Sequence, residues 1–258
     1  MYQLLNNVLG KTFGVKIARI EKHQFKKVKA RNQSIPLYIE FIGPSGVGKT
    51  TLFKKVLESN GSNRTWFTSK EFIYQEGYAE ANSSYNPEYQ TILTDKIRSV
   101  LSRGYKLPDE TNLILLFLKN IQEEALVNRY NKEYTIIFDE GMYSNFGSAI
   151  RLLLQSESEK YSHLLNNRAF IECTNTPENI AKQILKRKKT SGIIHPNFRV
   201  ETFEELVEIQ KKLLNERQDF LDLLKKHNCP VLLINTSDDL EANVREINAF
   251  IEKEQSSL

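Results

Sequence analysis

The chain predicts an α/β fold in which a parallel sheet is covered by helices on both faces. Short runs rich in β-branched and aromatic residues at 37–42, 134–138, 168–172 and 230–234 alternate with longer stretches of helical periodicity. A strand, a helix and a further strand close most readily as a right-handed parallel unit. The 258 residues, 40% hydrophobic and 26% charged, suffice for one large domain whose core needs no metal or disulfide.

The elements follow in order. Residues 1–34 form a basic leader with apolar residues at roughly helical spacing, divided by Gly10 and Gly14. Pro36 favours extended chain into the strand Leu-Tyr-Ile-Glu-Phe-Ile. Residues 50–59 read as a helix and 64–68 as a short strand. Two helical stretches, 88–103 and 110–128, are separated by Gly104 and Pro108. After the strands at 134–138 and 168–172, Thr176 is placed to cap a helix with Pro177 at its first position. A long amphipathic helix is expected over 201–226, a strand over 230–234 and a last helix over 240–252.

Composition excludes several classes. No apolar run approaches the ~18 residues needed to span a bilayer, and the N-terminus shows no signal-peptide pattern. Cys173 and Cys229 lie far apart, so neither a disulfide framework nor a paired-cysteine metal site is expected, and a reducing cytoplasm is the expected location. Residues 1–33 carry eight basic side chains against Glu21, a local net charge of +7 that leaves the rest at −3. Such a leader either packs on its own domain or makes a peripheral contact with an anionic membrane or another polyanion. With an acidic body and no reader module, nucleic-acid recognition is not expected.

Between the first strand and the next helix runs Gly43-Pro44-Ser45-Gly46-Val47-Gly48-Lys49-Thr50, the phosphate-loop pattern G-x-x-x-x-G-K-[ST]. Glycines let successive N–H groups turn toward phosphate oxygens, and the helix behind adds its positive end. This stretch through Thr51 is the expected site for a nucleoside triphosphate, with Lys49 reaching the β- and γ-phosphates and the Thr50 hydroxyl placed for Mg2+. A second carboxylate should end a neighbouring strand, and Asp139-Glu140 does so. Asp139 is the expected Mg2+ residue; Glu140 either orients the nucleophile or faces solvent.

With these parts in place, residues 35–255 resemble the nucleoside/nucleotide kinase-like group of P-loop phosphotransferases. The resemblance rests on Ile171-Glu172-Cys173-Thr174-Asn175-Thr176-Pro177-Glu178, on the basic run Lys186-Arg187-Lys188-Lys189-Thr190-Ser191-Gly192, and on the closing strand before Asn235-Thr236. It implies a three-layer sandwich around a central, mostly parallel five-stranded sheet, the P-loop NTPase fold, with the loop-bearing strand central. It also implies a lid near 186–192 in which Arg187 stabilises the transferred phosphoryl charge, ATP and Mg2+ as the cofactors, and Glu71 as a candidate general base for an acceptor hydroxyl. Asp139-Glu140-Gly141 departs from the aspartate-arginine pair of deoxynucleoside and thymidylate kinases, so an unidentified small-molecule or glycan acceptor is expected. Arg98, Arg103, Arg129 and Arg151 are candidate anion clamps. The alternative reading is a nucleotide-driven switch acting on a protein partner.

Overall fold

Pro36 leads into β1 (Leu37–Ile42), six consecutive buried residues whose side chains alternate between the two faces of the sheet. Leu37, Ile39 and Phe41 pack on one face, while Tyr38 and Ile42 point to the other. The computed structural model describes residues 36–61, 64–76, 87–130, 134–191, 196–200 and 202–257. The basic leader, with its expected membrane or polyanion contact, lies outside the described residues.

The other elements are α1 (Lys49–Asn60), β2 (Trp66–Thr68), α2 (Ser69–Glu76), α3 (Pro87–Leu101), α4 (Leu107–Tyr130), β3 (Thr135–Phe138), α5 (Met142–Ser156), α6 (Ser158–Tyr161), β4 (Arg168–Thr174), α7 (Pro177–Ser191), α8 (Phe203–Lys226), β5 (Val231–Asn235) and α9 (Leu240–Ser256). The described residues form a five-stranded sheet in the order β2-β3-β1-β4-β5, parallel at every pairing. The loop-bearing strand is therefore central, and the expected mostly parallel sheet is wholly so. One core joins this sheet to α1, α7, α9 and the first half of α8, a second joins it to α3, α4, α5 and the second half of α8, and a smaller third joins β1, β2 and β3 to α2 and the end of α4. This is a three-layer α/β sandwich.

Three differences from the expected elements have local causes. Pro108 lies inside the first turn of α4 rather than before it, where its missing N–H is no loss. Gly104, at φ 63°, makes the turn between α3 and α4 instead. The helix starting at Pro177, with Thr176 Oγ1 accepting from the Asn179 amide, runs to Ser191, so the expected lid residues Lys186 to Ser191 are its last turns. Gly192 lies outside the described residues. The amphipathic helix expected from 201 starts at Phe203 because Thr202 and Glu205 form a reciprocal capping box.

Candidate nucleotide-binding site

The loop after β1 takes its shape from its glycines. Gly43 sits at φ 144°, and a Cβ there would lie 2.4 Å from the Cys173 carbonyl oxygen. At Gly46, φ 88°, a Cβ would meet Ile184 Cγ1 at 2.6 Å. The loop is thus pressed against β4 and α7 as only glycine allows. It is also braced from outside: Thr236 Oγ1 donates to the Val47 carbonyl (2.6 Å), and Asn175 Nδ2 donates to Thr236 Oγ1 (3.0 Å).

Lys49 opens α1 and turns back over the loop, its Nζ donating to the carbonyls of Gly43 (2.7 Å) and Pro44 (3.2 Å). The residue is 9% exposed. Burial pushes its ammonium below the usual lysine range, and the Glu140 carboxylate opposes that shift. A cation this desolvated, held at the rim of a glycine loop and a helix N-terminus, is matched to anionic oxygens.

On one side of the loop Thr50, Asp139 and Glu71 line a cavity of about 240 Å3 together with Phe53, Lys54 and Thr68. A hydroxyl in the first turn of α1 and a carboxylate at the end of β3 fit a hard divalent cation, which takes oxygen donors and completes its shell with water and phosphate. Among the described residues there is no cluster of three or more His, Cys, Asp or Glu side chains suited to a protein-only metal cage. Glu71 shares this cavity, yet its carboxylate is engaged by the chain itself. It accepts from the Thr68 amide (3.0 Å) and hydroxyl (2.9 Å), closing a capping box at the start of α2, and it pairs with Arg64. Glu140 is exposed beside Asp139. Arg187 stands on the exposed part of α7 and lines neither cavity beside the loop.

Glu40, a residue outside the sequence-derived site, holds the Asp139–Glu140 turn in place. Its Oε1 accepts from the amides of Gly141 (3.2 Å) and Ser144 (2.7 Å), and its Oε2 from that of Tyr143 (3.1 Å). Gly141 allows this approach, since a Cβ there would sit 2.7 Å from Glu40 Oε2. The signal in the sequence is an acid in the middle of an otherwise apolar strand. Burial pushes the Glu40 carboxyl up to about 7 against the pull of the Ser144 and Tyr143 amides. Between its ordinary 4.5 and about 7, the unfolded chain has released this proton while the folded chain retains it. Folding stability therefore falls as pH rises through that window, by on the order of 3 kcal/mol, and the loss is complete above it. Urea titrations at pH 4.5 and pH 8 should show this loss in the native chain relative to Glu40→Gln, which cannot titrate. An equal pH response in both proteins would refute it.

A second cavity, of about 220 Å3, opens on the other side of the loop against Gly43, Pro44 and Ser45. Lys96 of α3, Arg151 of α5 and Arg217 of α8 converge on it. Arg217 makes a two-bond pairing with Glu172 (2.8 and 2.6 Å), and Arg151 donates to Asp219 (2.6 Å). Of the other candidate clamps, Arg98 pairs with exposed Asp95 and Arg103 donates to the Tyr105 hydroxyl, while the Arg129 side chain lies outside the described residues. Arg217 and Lys96 escaped the sequence reading because nothing in their own helices marks them.

Sheet order, loop and strand-end aspartate together define a parallel α/β domain with a phosphate-loop sequence at the end of its central strand. Among solved structures, the chain is similar to shikimate kinase from Bacteroides thetaiotaomicron (14% identity, TM-score 0.43, covering 84% of this chain and 98% of that one). It is similar also to deoxyadenosine kinase from M. mycoides with bound dCMP and dCDP (15%, 0.40, 84% and 100%) and to a gluconokinase from Sinorhizobium meliloti 1021 (15%, 0.37, 86% and 95%). No protein-family model matches the chain, and no curated protein matches it.

Proposed function

We propose that this chain is an ATP-dependent phosphotransferase that moves the γ-phosphoryl group of MgATP to a hydroxyl- or phosphate-bearing small molecule or saccharide. The observation that carries the reading is the buried Lys49 on a glycine loop with a cavity on either side. One cavity offers the oxygens of Thr50 and Asp139, the other three cations. The first suits the metal that accompanies the phosphates, and the second leaves room beside the loop for an acceptor to be positioned.

The roles follow from position. The loop from Gly43 to Thr51, through its N–H groups other than that missing at Pro44, and the N-terminus of α1 receive the phosphates, and Lys49 neutralises charge building on the transferred oxygens. A divalent cation held by Thr50 and Asp139 would supply further neutralisation of the phosphate tail. Glu140 tunes Lys49 electrostatically. Arg187 reaches the phosphates if the end of α7 closes over the loop. Glu71 takes a proton only after giving up its bonds to Thr68 and Arg64. Residues 1–33 provide a peripheral contact with an anionic surface, at a cytoplasmic location. Among the described residues, no helix is long and apolar enough to cross a membrane.

The test is ADP release from labelled ATP across a panel of sugars, sugar acids, nucleosides and short glycans. Acceptor-dependent release supports the proposal; hydrolysis stimulated only by another protein would replace it with a nucleotide-driven switch. Asp139→Asn should lower Mg2+-dependent turnover about 100-fold while changing nucleotide affinity less than about 10-fold, by calorimetry.

A further inference from the structure

We infer that the cavity beside Pro44 and Ser45 is the acceptor site and that the acceptor is a compact, hydroxylated anion whose charged group pairs with Lys96 and Arg151. The inference rests on the phosphotransferase reading and goes beyond it by naming the acceptor's chemistry.

The cavity's position comes first. It touches the leading residues of the loop, Gly43 to Ser45, opposite the cavity of Thr50 and Asp139. An occupant would lie beside phosphates held by the loop, among residues separate from the Thr50 and Asp139 oxygens.

Charge gives the occupant its sign. Three cations face the space and Glu216 is the acid lining it. Arg217 is held by Glu172, a residue itself 3% exposed, so its guanidinium forms a fixed wall. Lys96 differs. Its ammonium lies 5.2 Å from the centre of the Phe117 ring, and burial pushes it below the usual lysine range with Arg103 adding to that shift. Among the described residues no carboxylate lies within ion-pairing distance of it. Arg151 spends one Nη on Asp219, which is 64% exposed, and its buried Nε has no hydrogen-bond partner. A buried N–H without an acceptor and a desolvated ammonium without a counter-charge are each costly. An anionic oxygen group in the cavity gives Lys96 the counter-charge it lacks, with the Arg151 guanidinium on the same lining.

Shape and the remaining lining give the rest. Ser144, Ser148 and Arg151 stand at successive turns on one face of α5, with Asn145 beside them, so hydroxyl and amide groups border the cations. That edge suits an occupant carrying several hydroxyls. At about 220 Å3 the space falls below the ~300 Å3 at which drug-sized sites begin, which favours a single small sugar acid or sugar phosphate over a polymer. In the transfer, an acceptor hydroxyl oxygen forms the new bond to the γ-phosphorus. The bond from that phosphorus to the β,γ-bridging oxygen breaks with its electron pair leaving on ADP, and the hydroxyl proton passes to solvent.

The experiment uses the full chain and probes of one carbon skeleton: a five-carbon aldonate, a pentose 5-phosphate and the neutral pentitol. Binding is measured by calorimetry without ATP, and acceptor-dependent ADP release with it. At least one anion should bind ten-fold or more tightly than the pentitol, and the better of the two distinguishes a carboxylate from a phosphate site. Lys96→Met, which keeps the apolar stem over Phe117, and Arg151→Gln should each remove most of that preference. Both should raise the acceptor KM about ten-fold with kcat changed less, and Lys96→Arg should restore it. Equal binding of anion and pentitol, or an anion preference untouched in folded Lys96→Met and Arg151→Gln, overturns the inference. Failure of ATP to bind in a separate titration would instead count against the phosphotransferase reading, because the anion preference is read in its absence.

Discussion

Replacing Lys49 with alanine should lower ATP turnover by about 10³-fold while leaving the melting temperature within a few degrees of the native chain. The two halves of this expectation have one origin. Lys49 is buried against carbonyls of the loop, with its ammonium desolvated. In the folded chain that desolvation is a cost, and the bonds to Gly43 and Pro44 return only part of it. Removing the ammonium thus exchanges two hydrogen bonds for relief of a buried charge, and the stability terms nearly cancel. At the phosphates nothing cancels, because among the described residues no other ammonium bonds to this loop. Single-turnover ADP release and a thermal melt on the same preparation check the pair of outcomes. A folded variant retaining a tenth of native turnover would remove Lys49 from the mechanism.

The sequence disclosed the parts of this molecule whose causes are local. β1 was legible from its apolar run and the proline before it, and the phosphate loop from glycines whose spacing has a steric purpose at Gly43 and Gly46. Asp139 was legible as an acid at the end of a buried strand. α5 was not, and the reason is physical. Its N-cap, Gly141, offers no side chain, and Gly147 interrupts its pattern. The amides of its first turn are instead satisfied by Glu40, 104 positions before Ser144 in the chain. A cap supplied from another strand leaves no trace in the local sequence. The same holds for the second cavity. Arg151 is a candidate clamp by sequence, but Lys96 and Arg217, on two other helices, look like ordinary surface charges until the sheet brings all three to one side of the loop. At α7 the basic run is expected as a lid, but the helix continues through it to Ser191 because Lys and Arg are good helix formers and suit a helix C-terminus.

Arg168→Met should destabilise the chain by about 3–5 kcal/mol, a large share of the roughly 5–15 kcal/mol that holds a domain of this kind together. Arg168 begins β4 and reaches across the second core to Glu124 of α4; their side chains are 4% and 1% exposed. The guanidinium lies between the rings of Tyr38 (5.1 Å) and Tyr143 (4.9 Å), and its Nε donates to the Leu164 carbonyl (2.9 Å). Glu124 Oε1 also accepts from Asn128 Nδ2 (2.9 Å), but its Oε2 is buried with no hydrogen-bond partner. The carboxylate therefore depends on Arg168 for nearly all its compensation, and methionine would strand it as an unpaired charge in a dry core. The pair itself contributes much less than this loss, since bringing both ions out of water costs several kcal/mol per ion. Replacing both, as Glu124→Leu with Arg168→Met, should consequently be far milder than Arg168→Met alone, leaving a coupling of about 2 kcal/mol or more in a double-mutant cycle. Guanidinium titrations of the four proteins decide it. If the single and double replacements unfold at the same midpoint, Glu124 does not need Arg168, and the anchor between α4 and the sheet is apolar packing alone.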